Sequence, residues 1–436
     1  MKRMSKSVIL AALLFCSAAA SAQSIFDFDF PDFNPVPLPS YDKPYHFDYD
    51  VDFTYYFDLR DYRASDDIFG VSEIINVARL TPSGGLRIDT GGKLTHKVFA
   101  GIDITKDLGA NPISIASYSE EDDPALRNLR LFQDIFYYYN LGARTRLGTA
   151  GLYLGIFPRT AMEGEYSRVF FSDVTKLYDP NIEGLFAKYR SPRLYAEIGY
   201  DMLGYKEIER RERYMVFSAG SYSPIDWLSA GWAASYLRVG SSYFTSCNVE
   251  EALVNPYVKI DGGYLVGMDE LSLKAGAIAS YQRDHRISES AHYPIGAEGV
   301  VTLRHCGAGV ENTLYYGDNM MPFRSYTYTS EHNTSSYVNL LYLGELEYFT
   351  HRGYPAFYDR LEVFYEPRIA DFLKARVSGV GHFINKSSSY GPLIGWQAKA
   401  SLIFDLEAVR HPAPAVSSPK SKKKKNQGPT GPSVIL

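Results

Sequence analysis

From Asp48 to Arg63 the chain reads DYDVDFTYYFDLRDYR, with Tyr49, Val51, Phe53, Tyr55, Phe57 and Leu59 at odd positions and Asp50, Asp52, Thr54, Asp58 and Arg60 between them. Side chains two apart share a face of a strand, so this is a ribbon with one apolar and one charged face, Tyr56 being the exception. The pattern keeps returning. Leu271, Leu273, Ala275, Ala277, Ala279 and Tyr281 alternate with Ser272, Lys274, Gly276, Ser280 and Gln282, broken only by Ile278. Leu194 to Met202 and Trp396 to Phe404 repeat it, and no helical periodicity of any length intervenes. A load of 36 Tyr and 25 Phe against 3 Trp also favours strands.

About sixteen such segments begin near residues 49, 80, 97, 133, 149, 182, 194, 212, 227, 252, 268, 294, 308, 358, 372 and 392. Most are long enough for the roughly 9 to 11 residues that a tilted strand needs to cross a bilayer. The connections alternate in length: GGKLTH, RTRLG, SPR, SPID, GGYLV, CGA and RIADF are tight, whereas those around 62 to 79, 107 to 132, 159 to 181, 240 to 251 and 318 to 357 are long. The connections near 205, 283 and 384 are intermediate and fall on the long side. A soluble sandwich or propeller, the alternative fold, has no reason to gather its long loops at one end. An outer-membrane barrel does, with short periplasmic turns and long extracellular loops. The predicted fold is therefore all-β, a transmembrane antiparallel β-barrel of about 16 strands.

The flanks agree with export. Lys2, Arg3 and Lys6, the apolar run Val8 to Phe15 and the small residues Ala20-Ser21-Ala22 read as a signal peptide over 1–22. Cys16 is a poor match to an acylated lipoprotein cysteine, because Leu13-Leu14-Phe15 precede it. Residues 23–48 are a proline-rich lead, 49–406 the barrel, and 407–436 a tail carrying Lys422 to Lys425. After the signal no apolar run is long enough for a transmembrane helix. Under this layout Cys247 and Cys306 lie at opposite ends of the barrel and cannot bond. A formal net charge of −5 argues against nucleic acid as a partner.

Lipid then meets the aromatic face, and water meets the polar one. Asp58, Arg60, Arg87, Lys188, Glu197, Lys259, Arg304, Arg360, Lys374 and Arg376 are expected on the lumen wall, both signs mixed as in a water-filled pore. The stretch PRTAMEGEYSRVFFSDVTKLYDPN interleaves Arg159, Glu163, Glu165, Arg168, Asp173 and Lys176 with Tyr166, Phe170, Phe171 and Tyr178. A loop folded against the inner wall would bury those rings and present its charges across the lumen, making a constriction. A loop packed on the outer rim or on a neighbouring subunit is the other way to bury them. Glu120 to Asp123, with Arg127 and Arg130, read as a hydrophilic outer loop. No nucleophile elbow, catalytic triad or zinc signature is present, so the expectation is no enzyme, no cofactor and no metal.

In GIFPRTAMEGEYSRVFFSDVTKLYDPNIEGLFAKY and HRGYPAFYDRLEVFYEP the chain resembles the porin-type outer-membrane barrels of Bacteroidota, and more distantly alginate-export and phosphate-selective porins. The resemblance covers most of 49–406. It implies a sixteen-stranded diffusion channel in which Arg159 and Asp173 belong to an inward loop. The expected function is an outer-membrane porin of a Gram-negative bacterium for small hydrophilic solutes. A closed adaptor barrel that binds other envelope proteins, and a barrel hydrolase, are the alternatives. Outer-membrane lipid is the expected surrounding, and barrels of this size often form homotrimers.

Overall fold

In the computed structural model, residues 44–62, 72–90, 93–108, 134–204, 212–240, 248–285, 291–320, 344–345, 348, 356–370, 372–388 and 391–406 are described. The signal, most of the lead, the basic tail, Cys16, Cys247 and the loop with Glu120 to Asp123, Arg127 and Arg130 lie outside them.

The strands are β1 (Tyr45–Tyr62), β2 (Glu73–Thr90), β3 (Leu94–Asp107), β4 (Asp134–Arg144), β5 (Thr149–Pro158), β6 (Asn181–Arg190), β7 (Leu194–Gly204), β8 (Arg213–Ile225) and β9 (Leu228–Val239). They continue as β10 (Val249–Asp261), β11 (Glu270–Asp284), β12 (Ile295–His305), β13 (Ala308–Gly317), β14 (Ala356–Tyr365), β15 (Arg368–Ala370), β16 (Leu373–Ser388) and β17 (Gly391–Asp405). Each pairs antiparallel with the next, and β1 also pairs with β17, so the sheet closes. β15 is a short piece on the start of β16, while β14 pairs directly with β16, leaving sixteen staves. Closure satisfies every edge, which is what a strand needs in hydrocarbon.

All sixteen expected strands are present, with shifted ends. β1 begins at Tyr45, inside the predicted lead, and β2 at Glu73, well before residue 80, because β1 runs on to pair Arg60 with Glu73. The GGYLV turn carries a short helix, Gly263–Val266. Between β16 and β17 the chain is shorter than expected, since Ser388 pairs with Gly391. Cys306 and Gly307 form the β12–β13 turn, both at positive φ, and the Cys306 thiol is exposed and free.

The two faces fall as the alternation requires. Val98, Ile135, Ile198, Val363 and Val377 stand more than half exposed on the outside, whereas Asp58, Asp103, Glu197 and Arg360 on the opposite parity are almost wholly buried inside. Tyr200, Tyr214, Tyr281, Tyr293 and Tyr316 lie towards the long-loop end, and Tyr189, Tyr222, Trp227 and Tyr365 towards the other. An apolar outer band between aromatic girdles is the surface of a transmembrane barrel, and it places the chain in the outer membrane of a Gram-negative bacterium.

Candidate functional site: the inward segment and the lumen wall

Between β5 and β6 the chain turns into the barrel. Arg159 sits at its root: the backbone N–H donates to the Pro180 carbonyl (2.7 Å), Nε donates to the Asp179 carbonyl (2.9 Å), and the guanidinium pairs with Asp179 (2.7 Å) and with Asp201 of β7 (2.8 Å). One buried side chain thus staples both ends of the segment to the wall. The next residues hang on Glu197 of β7, which accepts the N–H groups of Glu163 (2.8 Å) and Gly164 (3.1 Å). A Cβ on Gly164 would come within 2.4 Å of the Ala219 side chain, so only glycine lets the backbone press this close. Glu163 reaches Lys188 (2.6 Å) and Arg190, and Glu165 reaches Lys259 (3.0 Å).

The middle of the segment is apolar. Met162, Val169, Phe170 and Phe171 pack on Phe157, Phe186, Phe217, Ala233, Leu237 and Leu253 from the wall. Tyr166 adds edge-on contacts to Phe170, Phe171 and Phe217. Ser167 Oγ donates to Glu298 of β12 (2.7 Å). Ser172 then caps α1 (Asp173–Tyr178), accepting the Thr175 N–H at 2.9 Å. Val174 and Leu177 of α1 pack on Ile75, Val77 and Tyr56 of β2 and β1. The segment therefore traverses the lumen, from β6–β8 to β1–β2.

Its charged side meets the strands that close the barrel. Arg168 lies against Asp173 (3.0 Å), Glu362 (3.6 Å), Glu311 (3.7 Å) and Glu345 (3.8 Å). Lys399 of β17 pairs with Asp173 (2.5 Å). Burial would raise the Asp173 carboxyl, but Arg168, Lys399 and Lys176 hold it well below the usual carboxylate range. From there the ladder continues down the wall: Arg360 to Glu362 (2.7 Å), Glu362 to Arg376 (2.8 Å), Arg376 to Glu366 (2.5 Å) and Glu366 to Arg304 (3.6 Å). Arg60–Asp58 (2.7 Å) and Arg87–Asp89 (3.2 Å) belong to β1 and β2. His382 lies buried between Tyr62 and Tyr358.

Of the inward charges, Arg159, Glu163, Glu165, Arg168 and Asp173 are paired. Lys176 makes no ion pair among the described residues, and burial pushes its ammonium down. Lys374 is exposed and likewise unpaired among the described residues. A second inward contact, which the alternation does not mark, comes from the chain between β13 and β14. There the Glu345 N–H donates to the Arg168 carbonyl (2.9 Å), Glu345 Oε1 accepts the Asp173 N–H (3.0 Å), and Tyr348 donates to Glu298 (2.7 Å). The aromatic density of LLYLGELEYF was the available signal; it resembles that of the first segment.

No family model matches the chain, and no curated protein matches it. Among solved structures it is similar to OmpT of Vibrio cholerae in trimer form, at 8% identity over 83% of this chain and 100% of that one (TM-score 0.48). It is also similar to OmpF of Salmonella typhi, at 12% identity over 84% and 99% (TM-score 0.44). For the anion-selective porin of Comamonas acidovorans the values are 9% identity over 83% and 99% (TM-score 0.44). Closure of the sheet between β1 and β17 and its apolar outer face make the chain a membrane barrel.

Proposed function

We propose that this outer-membrane barrel is a porin-type channel, passing small hydrophilic solutes along the ionic side of a lumen narrowed by the inward segment. The observation that carries this reading is where water reaches. Phe170 and Phe171 are dry at 4% and 2% exposure, whereas Asp173, Arg168, Glu311, Arg376 and Arg304 keep between 21% and 34% of their surface accessible. Wet charges thus line one flank of the segment, and a passing ion or polar solute would exchange hydration for these fixed groups. On this reading no covalent chemistry takes place, outer-membrane lipid surrounds the girdles, and further copies of the chain stand alongside.

A second reading has its own observation. Glu345 and Tyr348 lie against the first inward segment and lock it from the other side, as expected of a closed adaptor barrel. Conductance in planar bilayers decides between them. Stable ohmic steps are expected, and they should grow when residues 162–177 are deleted; a folded protein without steps sinks the channel reading in favour of the adaptor.

A further inference from the structure

On the outer face of β4 to β9, just inside the short turns, the wall carries a hollow of about 580 Å³ with an almost wholly apolar lining. The register gives its shape. The row nearest the turns runs Ala143, Ala150, Tyr189, Ala196, Gly220 and Trp232 from β4 to β9, so two rings stand with small residues between them. The indole of Trp232 lies over Gly220, where an added Cβ would come within 2.3 Å of the ring, and its Nε1 donates to Ser218 Oγ (3.2 Å). Tyr189 reaches the other way, its hydroxyl donating to the Leu147 carbonyl of the β4–β5 turn (3.1 Å). The next row, Leu141, Leu152, Ala187 and Ile198, continues the floor towards the middle of the bilayer.

The mouth of the hollow is basic. Lys93, Arg146 and Arg193 stand exposed in three consecutive short turns, β2–β3, β4–β5 and β6–β7, and residues 91–93, 145–148 and 191–193 contain no acid. The next two turns carry Asp226 and Asp269 instead, so charge is sorted around this rim rather than scattered. Arg193 donates to the Pro224 carbonyl, which holds its guanidinium beside β8, and none of the three cations meets a carboxylate among the described residues. An apolar hollow that opens onto fixed cations at the headgroup level suits one kind of occupant, a lipid with an anionic head. A second copy brought face to face over the same hollow would oppose these basic turns to themselves, which like-charge repulsion disfavours.

We propose that this hollow holds one phospholipid of the inner leaflet, an acyl chain lying on the alanines between Tyr189 and Trp232 and the anionic headgroup phosphate on Arg146 and Arg193. The proposal does not depend on whether the lumen conducts. Trp227→Phe with Trp396→Phe leaves Trp232 as the one indole of the full chain, placed to report on the hollow. This protein is reconstituted in phosphatidylcholine vesicles with a small share of phosphatidylglycerol brominated on its acyl chains, since bromine quenches indole fluorescence on contact. Each surface cation is worth roughly fivefold in favour of anionic lipid, so the apparent affinity should exceed that of brominated phosphatidylcholine by about tenfold or more. Arg146→Gln with Arg193→Gln should leave Trp232 quenched equally by the two lipids. Ala150→Leu with Ala196→Leu, which fills the hollow and keeps the cations, should lower the affinity for phosphatidylglycerol severalfold. The strand signal in circular dichroism should stay unchanged throughout, because these residues lie in exposed turns or face lipid. Equal quenching by the two lipids in the parent, or an affinity that survives either double substitution, would overturn the proposal. So would a Trp232 shielded from every brominated lipid, which would put a second copy over the hollow.

Discussion

At the level of the inward segment, the lumenal positions of β4 to β6 and β8 to β11 are Phe136, Phe157, Phe186, Phe217, Leu237, Leu253 and Ile278, all dry, with β7 between them bringing the buried carboxylates Glu197 and Asp201. Across the lumen, β12 to β17 and β1 offer Glu298, Glu311, Arg360, Glu362, Arg376, Lys399 and Asp58. The strands share one geometry and one alternation, yet one arc is a packed core and the other an ion-paired wall. The inward segment reads both, turning Phe170 and Phe171 to the first and Arg168 and Asp173 to the second. What the difference teaches is a division of labour: the apolar arc fixes where the segment sits, and the ionic arc decides what passes beside it.

That division can be broken by single substitutions. The largest loss is expected for Arg159→Leu, which strands the 1%-exposed Asp201 without a cation; removing one partner of a buried pair costs about 3 to 5 kcal/mol. Denaturant midpoints in detergent would measure it, and an unchanged midpoint would remove Arg159 as the staple. Next comes Phe171→Ala, a core truncation worth about 3 kcal/mol that should also loosen the segment and make conductance noisier. On the ionic arc the balance reverses. Lys399→Gln should move the permeability ratio towards cations by roughly threefold while shifting the midpoint little, as seen in reversal potentials under a salt gradient. If Lys399→Gln destabilised the barrel as much as Phe171→Ala does, the two arcs would not differ in kind. Least is expected from Lys259→Gln, whose pair with the 40%-exposed Glu165 is worth less than about 1 kcal/mol.

Most of the barrel was legible in the chain because period-2 patterning is enforced at every residue of a strand between lipid and water. The exceptions carried further information. Tyr56 and Ile278 spoil the alternation by being apolar on the lumenal parity, and the structure shows why: Tyr56 packs beside Leu177 and Val174 of α1, and Ile278 joins the cluster holding Phe170 and Phe171. Those two departures were legible in the chain. The pairing of particular charges was not. That Arg168 meets Glu311, Glu345 and Glu362 depends on how the segment lies across the lumen, and spacing along one chain does not encode it.

The seam between β1 and β17 has a further consequence, in time. Phe57 is registered against Ala400 and Asp58 against Lys399, so the first strand made waits for the last. Contacts of such sequence separation form slowly, because the entropy of closing the ring is spent before any of them is gained. Until Phe404 arrives opposite Phe53, β1 holds β2 on one edge and offers bare amides on the other. Closure of β17 on β1 is therefore the step expected to be slowest, and the interval before it the one in which an open edge is exposed.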